Sequence, residues 1–221
     1  MTCYMARRTK DDALKTRQML LDAAIEQFAQ RGVSSTTLTD IADAAGVTRG
    51  AVYWHFASKS ELFNAMWLEQ TPLRELIYHK LKQVEGANPL INLRNKFIIG
   101  LQYIAETPKQ RALMQILYHK CEFSSDMMSE PEIRRQIGFN YDYMRTVLQG
   151  CVRNKILPDD ANIEIILIIL HSAFSGIIKN WLMNPQQFDL YQQAPLLVDN
   201  LMTTLCTQQH RISQPMLVAN P

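Results

Sequence analysis

No two cysteines in the chain are spaced as C-x-x-C, and Cys3, Cys121, Cys151 and Cys206 stand far apart. The N-terminus lacks the apolar stretch and small-residue cleavage site of a secretory signal. These two absences point to a reduced, cytoplasmic compartment. An unbroken membrane-spanning run is also missing: "IEIILIILHSAFSGIIKNWLM" is interrupted by Glu164, His171, Ser172, Ser175 and Lys179 and reads as a buried helix. There is no Gly-rich phosphate loop, no G-x-S-x-G and no distinctive carboxylate pair. "HKCE", residues 119 to 122, invites a metal or cysteine-nucleophile reading. It fails on geometry, because His119 and Cys121 diverge by about 160 to 200 degrees on a helix and no second His/Cys cluster completes a site. No catalytic residue, metal or cofactor is therefore expected.

What is present is an ordinary globular composition, 47% apolar and 20% charged over 221 residues, enough for one or two domains. The net charge of +2 is small. Its basic excess is local, with Arg7, Arg8, Lys10, Lys15 and Arg17 set against Asp11 and Asp12, so the N-terminus is a solvated tail or a phosphate-contacting arm. Met5 opens "MARRTK", and "MTCY" before it reads as an upstream start or an added leader.

Helical periodicity runs through the chain, with no competing strand pattern and no repeat. Leu21, Ala24, Ile25, Phe28 and Ala29 line a first helix that Gly32 stops. Leu38, Ile41, Ala42 and Ala45 line a short second helix ended by Gly46. Thr48 caps a third, whose inward side is Ala51, Val52 and Phe56. Ser58 and Glu61 form a capping box for a fourth, running through Leu62, Met66, Trp67 and Leu73 toward Gly86, with a kink at Pro72. Asn88 and Pro89 start a fifth helix that Pro108 closes. Beyond it come one helix ending near Phe123, one carrying Ile133, Ile137, Met144, Leu148 and Cys151, the apolar helix Ile163 to Met183, and a last one with Ala194, Leu197, Val198, Leu201, Met202 and Leu205, in which Pro195 falls in the first turn.

The second and third helices, with small Ala42 at their contact and Gly46 at the turn, have the spacing of a helix-turn-helix. In "VTRGAVYWHF" the buried side is filled by Ala51, Val52 and Phe56, so Arg49, Gly50, Tyr53 and Trp54 fall on the opposite face. That face suits a major groove: Arg49 can grip a guanine edge, Tyr53 can reach a phosphate, and Gly50 lets the backbone approach. The alternative for Tyr53 and Trp54 is packing on another helix. His55 lies to one side, at a phosphate or in the core.

"TTLTDIADAAGVTRGAVYWHFASKSELF" resembles the signature of the TetR family of bacterial transcriptional repressors. "LMQILYHKCEF" and "FSGIIKNWLMNPQQFDL" resemble its AcrR branch, which represses multidrug efflux pumps. The resemblance implies an all-α fold of about nine helices. Its parts are an N-terminal arm and DNA-binding domain over residues 1–57, a ligand-binding and dimerisation domain over 58–210 with 58–85 as connecting helix, and a flexible tail over 211–221. Carried over by position, the DNA contacts fall on Thr37, Thr39, Thr48, Arg49, Gly50, Tyr53, Trp54, His55 and Lys59. Lys59 opens the fourth helix, where its ammonium and the exposed N–H groups can meet a phosphate. Some relatives place a long basic residue at the position of Thr39.

The AcrR-like proteins take up aromatic, lipophilic and often cationic drugs in the C-terminal domain. Trp67, Tyr103, Met114, Tyr118, Cys121 and Phe123 are the ring and sulfur side chains on the helices implied to surround that pocket, and such types suit adaptable binding; the alternative is plain core. Thr71 stands where the AcrR pattern has a glutamate one turn beyond the tryptophan. The helix Ile163 to Met183 is apolar on nearly every face, which predicts one side packed inward and another on a symmetry mate. Phe174, Ile177 and Trp181 on it, with Leu197 and Leu201 on the last helix, are the candidate homodimer interface, and periodicity does not decide whether Phe174 or Ile177 points outward. The expected partners are double-stranded DNA with a palindromic operator, a small hydrophobic or aromatic inducer and a second copy of the chain, with no membrane. The competing readings are a DNA-binding regulator without inducer and an all-helical enzyme using Cys121 and His119.

Overall fold

The computed structural model describes residues 2–69, 75, 86, 88–137 and 141–207, with side chains from Lys10 to Leu205. The side chains of Cys3, Arg7, Arg8 and Cys206, and residues Thr71, Pro72, Leu73 and 211–221, lie outside what is described. The described residues form ten α-helices and no strand: α1 Thr2–Arg31, α2 Leu38–Ala44, α3 Arg49–His55, α4 Lys59–Leu68, α5 Pro89–Glu106, α6 Pro108–Gln115, α7 Glu130–Ile137, α8 Tyr141–Arg153, α9 Ile163–Met183 and α10 Leu190–Thr207. A π turn, Ile116–Lys120, continues α6. Two compact units divide the chain, the first from Met1–Glu75 with Thr107–Phe139 and the second from Leu76–Glu106 with Asn140–Pro221. This division departs from a boundary after residue 57, because α4, α6 and the π turn all pack on α1 in the first unit.

In the first unit α1 carries Leu21, Ala24, Ile25 and Phe28 into a core shared with Ile41, Val52, Phe56, Leu62, Met66 and Trp67. Phe63 lies between Phe28 and Trp67, with both ring separations at 6.2 Å, an edge-to-face range that aromatic quadrupoles favour. Gly32 ends α1 at φ +92, a left-handed angle that costs glycine little, and its N–H donates to the Phe28 carbonyl at 2.9 Å. The next residues turn sharply into α2, whose N-cap Thr37 and Asp40 form a reciprocal capping box. Gly46, at φ +66, makes the second turn, and Thr48 accepts from the Ala51 amide at 3.2 Å to start α3. The predicted Ser58 cap of α4 is present, with the Ser58 hydroxyl accepting from the Glu61 amide at 3.1 Å.

The second unit is built on α5, which packs against α10 and α8, while α9 packs against both α8 and α10. Arg94 of α5 and Asp199 of α10 form a two-pronged ion pair. Pro195 lies inside α10 rather than in its first turn. Proline has no N–H for the carbonyl four residues back, that of Tyr191. The Gln102 side-chain amide of α5 donates to that carbonyl at 3.3 Å, so the helix continues through the proline. The segment expected as one helix from Ile133 to Cys151 is described as α7 and α8, in different units.

Candidate nucleic-acid interface

The α2–turn–α3 segment presents its polar and aromatic face to solvent as expected. Val52 and Phe56 are buried, whereas Trp54 is 73% exposed and Tyr53 is 47% exposed. Packing against another helix of the chain therefore does not account for the two rings. Arg49 is also exposed, and its guanidinium donates to the Tyr53 hydroxyl at 3.2 Å while lying 5.4 Å from the ring centroid. That contact holds a flexible arginine on one side of the helix. A Cβ on Gly50 would meet only the Thr48 hydroxyl, at 3.8 Å, so the chain's own packing does not require a glycine there.

Two flanking candidates, Thr48 and Thr37, have a local task as well. Thr48 uses its hydroxyl oxygen as a cap acceptor, which leaves the hydroxyl hydrogen for a phosphate. Thr37 donates its hydroxyl hydrogen to Asp40 at 2.6 Å and its backbone N–H to the same carboxylate at 2.8 Å, so both of its donors are engaged within the capping box. The same bonds, with Arg31 at 3.0 Å, hold the Asp40 carboxyl below the usual carboxylate range. Thr39 is exposed. His55 is half-buried with its ring edge-on to Trp54 at 4.5 Å, and burial followed by the nearby Arg17 charge pushes its pKa below the ordinary histidine value.

Two basic residues are engaged internally. Arg17 donates to the Glu69 carboxylate and to the His55 carbonyl, and its guanidinium lies 4.3 Å from the Phe56 ring centroid. Of the basic arm, Lys10 and Lys15 are exposed and Arg17 is structural. The Lys59 ammonium, expected at a phosphate, donates to the Val33, Thr36 and Ser34 carbonyls at 2.7, 2.9 and 3.3 Å. The residue spacing of neither set could be foreseen, because both join segments far apart in the chain.

The ligand candidates divide between the units. Tyr103 is a half-buried residue of the second, and the other five belong to the first. Trp67 is 1% exposed, and its indole N–H is buried without a hydrogen-bond partner. Met114 is equally buried. Tyr118 accepts from Arg134 at 3.3 Å, and Phe123 sits edge-on to Phe63 at 6.4 Å. Burial and then Glu122 push the Cys121 thiol up to about 11, which keeps it protonated and unreactive near neutrality. Sequence reasoning missed the π turn that carries Tyr118 and His119, a distortion often found at functional sites.

The dimer candidates differ in exposure within the single chain. Phe174 and Trp181 are buried in the second unit, and Phe174 stacks on Phe97 at 3.8 Å, so neither is presented to a partner. Ile177, Leu197 and Leu201 are partly exposed. The outward face of α9 is instead Ile165, Ile168, Ser172, Lys179 and Met183, with Leu196 exposed on α10. α9 is also long and apolar enough to cross a membrane by length and composition, a test that core helices of soluble proteins pass equally well.

Residues 20–66 match the model for bacterial regulatory proteins of the tetR family, and residues 88–207 match that for the MAATS-type transcriptional repressor C-terminal region. The chain is 56% identical over 198 residues to the probable acrEF/envCD operon repressor of Escherichia coli (strain K12), covering 90% of each. Its fold is similar to that of NalD, the secondary repressor of the MexAB-OprM multidrug efflux pump in Pseudomonas aeruginosa, at TM-score 0.69 and 30% identity, covering 90% of this chain and 99% of that one. The SmeT–triclosan complex is similar at TM-score 0.68 and 27% identity, covering 91% of this chain and 99% of that one.

Proposed function

The chain belongs to the TetR family of bacterial transcriptional regulators and is not an enzyme, and from that premise we propose that it is a dimeric repressor of an efflux-pump operon, released from its operator by small hydrophobic compounds. The exposed Arg49, Tyr53 and Trp54 face carries the DNA part of this reading. Arg49 takes a guanine edge in the major groove, Thr48 and Tyr53 take phosphates, and Gly50 admits the sugar-phosphate backbone. Trp54, His55, Thr37 and Thr39 flank that contact. The operator is a palindrome read by two α3 helices roughly 34 to 36 Å apart.

The inducer reading rests on Trp67. An indole N–H can only donate, and leaving one buried and unmatched costs about 1 to 3 kcal/mol, which a ligand acceptor would recover. Met114, Tyr118, Cys121 and Phe123 are the companions of Trp67 in the first unit. A ligand packed on Trp67 biases α4, which is tied to the 124–128 segment through Ser60 and Asn64 and to α1 through Glu69. A shift of α4 then misplaces the reader in one of the two major grooves.

Titrating a duplex from upstream of an efflux operon with the protein, then adding a neutral aromatic compound such as triclosan, tests both parts. Salt-dependent binding to one palindrome, loss of that binding with the compound and quenching of Trp67 fluorescence are expected. Binding that no hydrophobic compound releases would leave a DNA-binding regulator without inducer.

A further inference from the structure

The residue that opens α4 is placed to do something other than grip DNA. Lys59 lies on the turn between α1 and α2, where its ammonium donates to the carbonyls of Val33 at 2.7 Å, Thr36 at 2.9 Å and Ser34 at 3.3 Å. An ammonium has three N–H groups and no acceptor, so this set uses all of them. The carbonyls need it: Val33 and Thr36 lie in the turn beyond the last residue of α1, Arg31, where no helix supplies a backbone donor, and both residues are almost completely buried. The rest of the turn is satisfied by other means. The Thr36 hydroxyl donates to the Gly32 carbonyl at 2.8 Å, and the Val33 amide donates to the Lys120 carbonyl, at the end of the π turn, at 2.8 Å.

We propose that Lys59 is a positioning residue for operator recognition. It fixes the turn from α1 into α2, and thereby the placement of Thr37, Thr39 and the packed α2–α3 pair, while making no phosphate contact of its own. This rests on the DNA-binding reading above and departs from the phosphate role that position 59 was expected to have. For the ammonium to reach a phosphate it would have to leave two buried carbonyls unmatched, which opposes the gain from an exposed charge contact.

The test compares the wild-type protein with Lys59→Met and Lys59→Gln on two duplexes of equal length, the footprinted operator and a scrambled sequence, each over a range of salt concentrations. Methionine keeps the apolar stem and loses every donor; glutamine keeps an NH2 group for the carbonyls and loses the charge. A positioning role predicts that Lys59→Met weakens operator binding by about tenfold or more, leaves scrambled-duplex binding within about twofold, and leaves the slope of log affinity against log salt unchanged. It also predicts that Lys59→Gln lies closer to wild type than Lys59→Met does. A phosphate clamp predicts a slope reduced by about one unit per protomer, equal weakening on both duplexes and no difference between the variants, and would overturn the proposal. Operator binding by both variants equal to wild type would overturn it too, by reducing Lys59 to a stability contact. If Lys59→Met does not fold, the slope for Lys59→Gln decides alone: unchanged supports the proposal, reduced overturns it. Wild-type protein that fails to prefer the operator would overturn the DNA-binding reading itself, and this proposal with it.

Discussion

Arg17 and Glu69, on α1 and at the C-cap of α4, form a bidentate ion pair with the arginine Nε 3.1 and 3.2 Å from the two carboxylate oxygens. The same guanidinium donates to the last carbonyl of α3, that of His55, at 3.2 Å. One side chain therefore joins the first, third and fourth helices.

Because both partners are partly exposed, the pair alone contributes little, about 0.2 to 1 kcal/mol. Arg17→Ala also removes the α3 cap and the contact over Phe56, so its midpoint in urea is expected to fall clearly further than that of Glu69→Gln. Equal effects of the two substitutions would show that the ion pair is all Arg17 provides. With Glu69 held by Arg17, Glu69→Gln is expected to leave unchanged any preference between neutral and cationic inducers, measured as the concentration that half-releases DNA.

Arg49→Ala is expected to weaken specific binding by about 1 to 3 kcal/mol and to flatten base preference at one position of each half-site. Tyr53→Phe removes the hydroxyl that holds Arg49 and is expected to cost less while leaving base preference intact. Binding measured on a set of single-base operator variants separates the two, and loss of preference in Tyr53→Phe alone would reverse the assignment of reader and support.

The outward and inward sides of α9 respond differently to the same substitution. Ile168→Arg places a charge on a residue 55% exposed in the single chain, and is expected to break the dimer while leaving a folded protomer. Phe174→Arg places it in the core against Phe97 and is expected to cost several kcal/mol, about 3 to 5 by the scale of large core truncations, and so to unfold the second unit. Sedimentation together with circular dichroism distinguishes the outcomes; an Ile168→Arg protein that stays dimeric would remove this face from the interface.

His55 has a folded pKa below its unfolded value of about 6.5, chiefly through burial. Below pH 6.5 the unfolded chain takes up a proton at this site before the folded one does, so stability falls as pH drops from the unfolded pKa toward the lower folded pKa. His55→Gln is expected to lose that component. Melting temperature against pH for both proteins measures it, and parallel curves between pH 5 and 7.5 would show that His55 is not its source.

The reader was accessible from the sequence because each signal is short-ranged. Gly46, Thr48 and Ser58 act within three or four residues of themselves, and all three stand as their residue types require. The contacts of Lys59 and Arg17 are of another kind. Arg17 meets Glu69 across 52 positions, so only the packing of α1 on α4 brings them together. The orientation of α9 was hidden for a further reason: a helix apolar on nearly every side has no period from which to read a face, and it is tertiary packing, including the stack on Phe97, that buries Phe174 and leaves Ile168 exposed. The division of the chain into units depended on the same long-range packing, which draws α6 and the π turn onto α1 and α7 onto α4.

The π turn Ile116–Lys120 gives the chain a reserve of length. A π turn holds about one residue more than an α turn while advancing the helix by a similar distance. Loss of one codon within this stretch would tighten the turn to ordinary α-helix and could leave Pro108 and the Lys120 carbonyl near their present places. The same loss inside α4 would rotate every later side chain by about 100 degrees. A one-residue loss is better absorbed here than inside α4, and the amide of Val33, which donates to the Lys120 carbonyl, would register whether the helix had absorbed it.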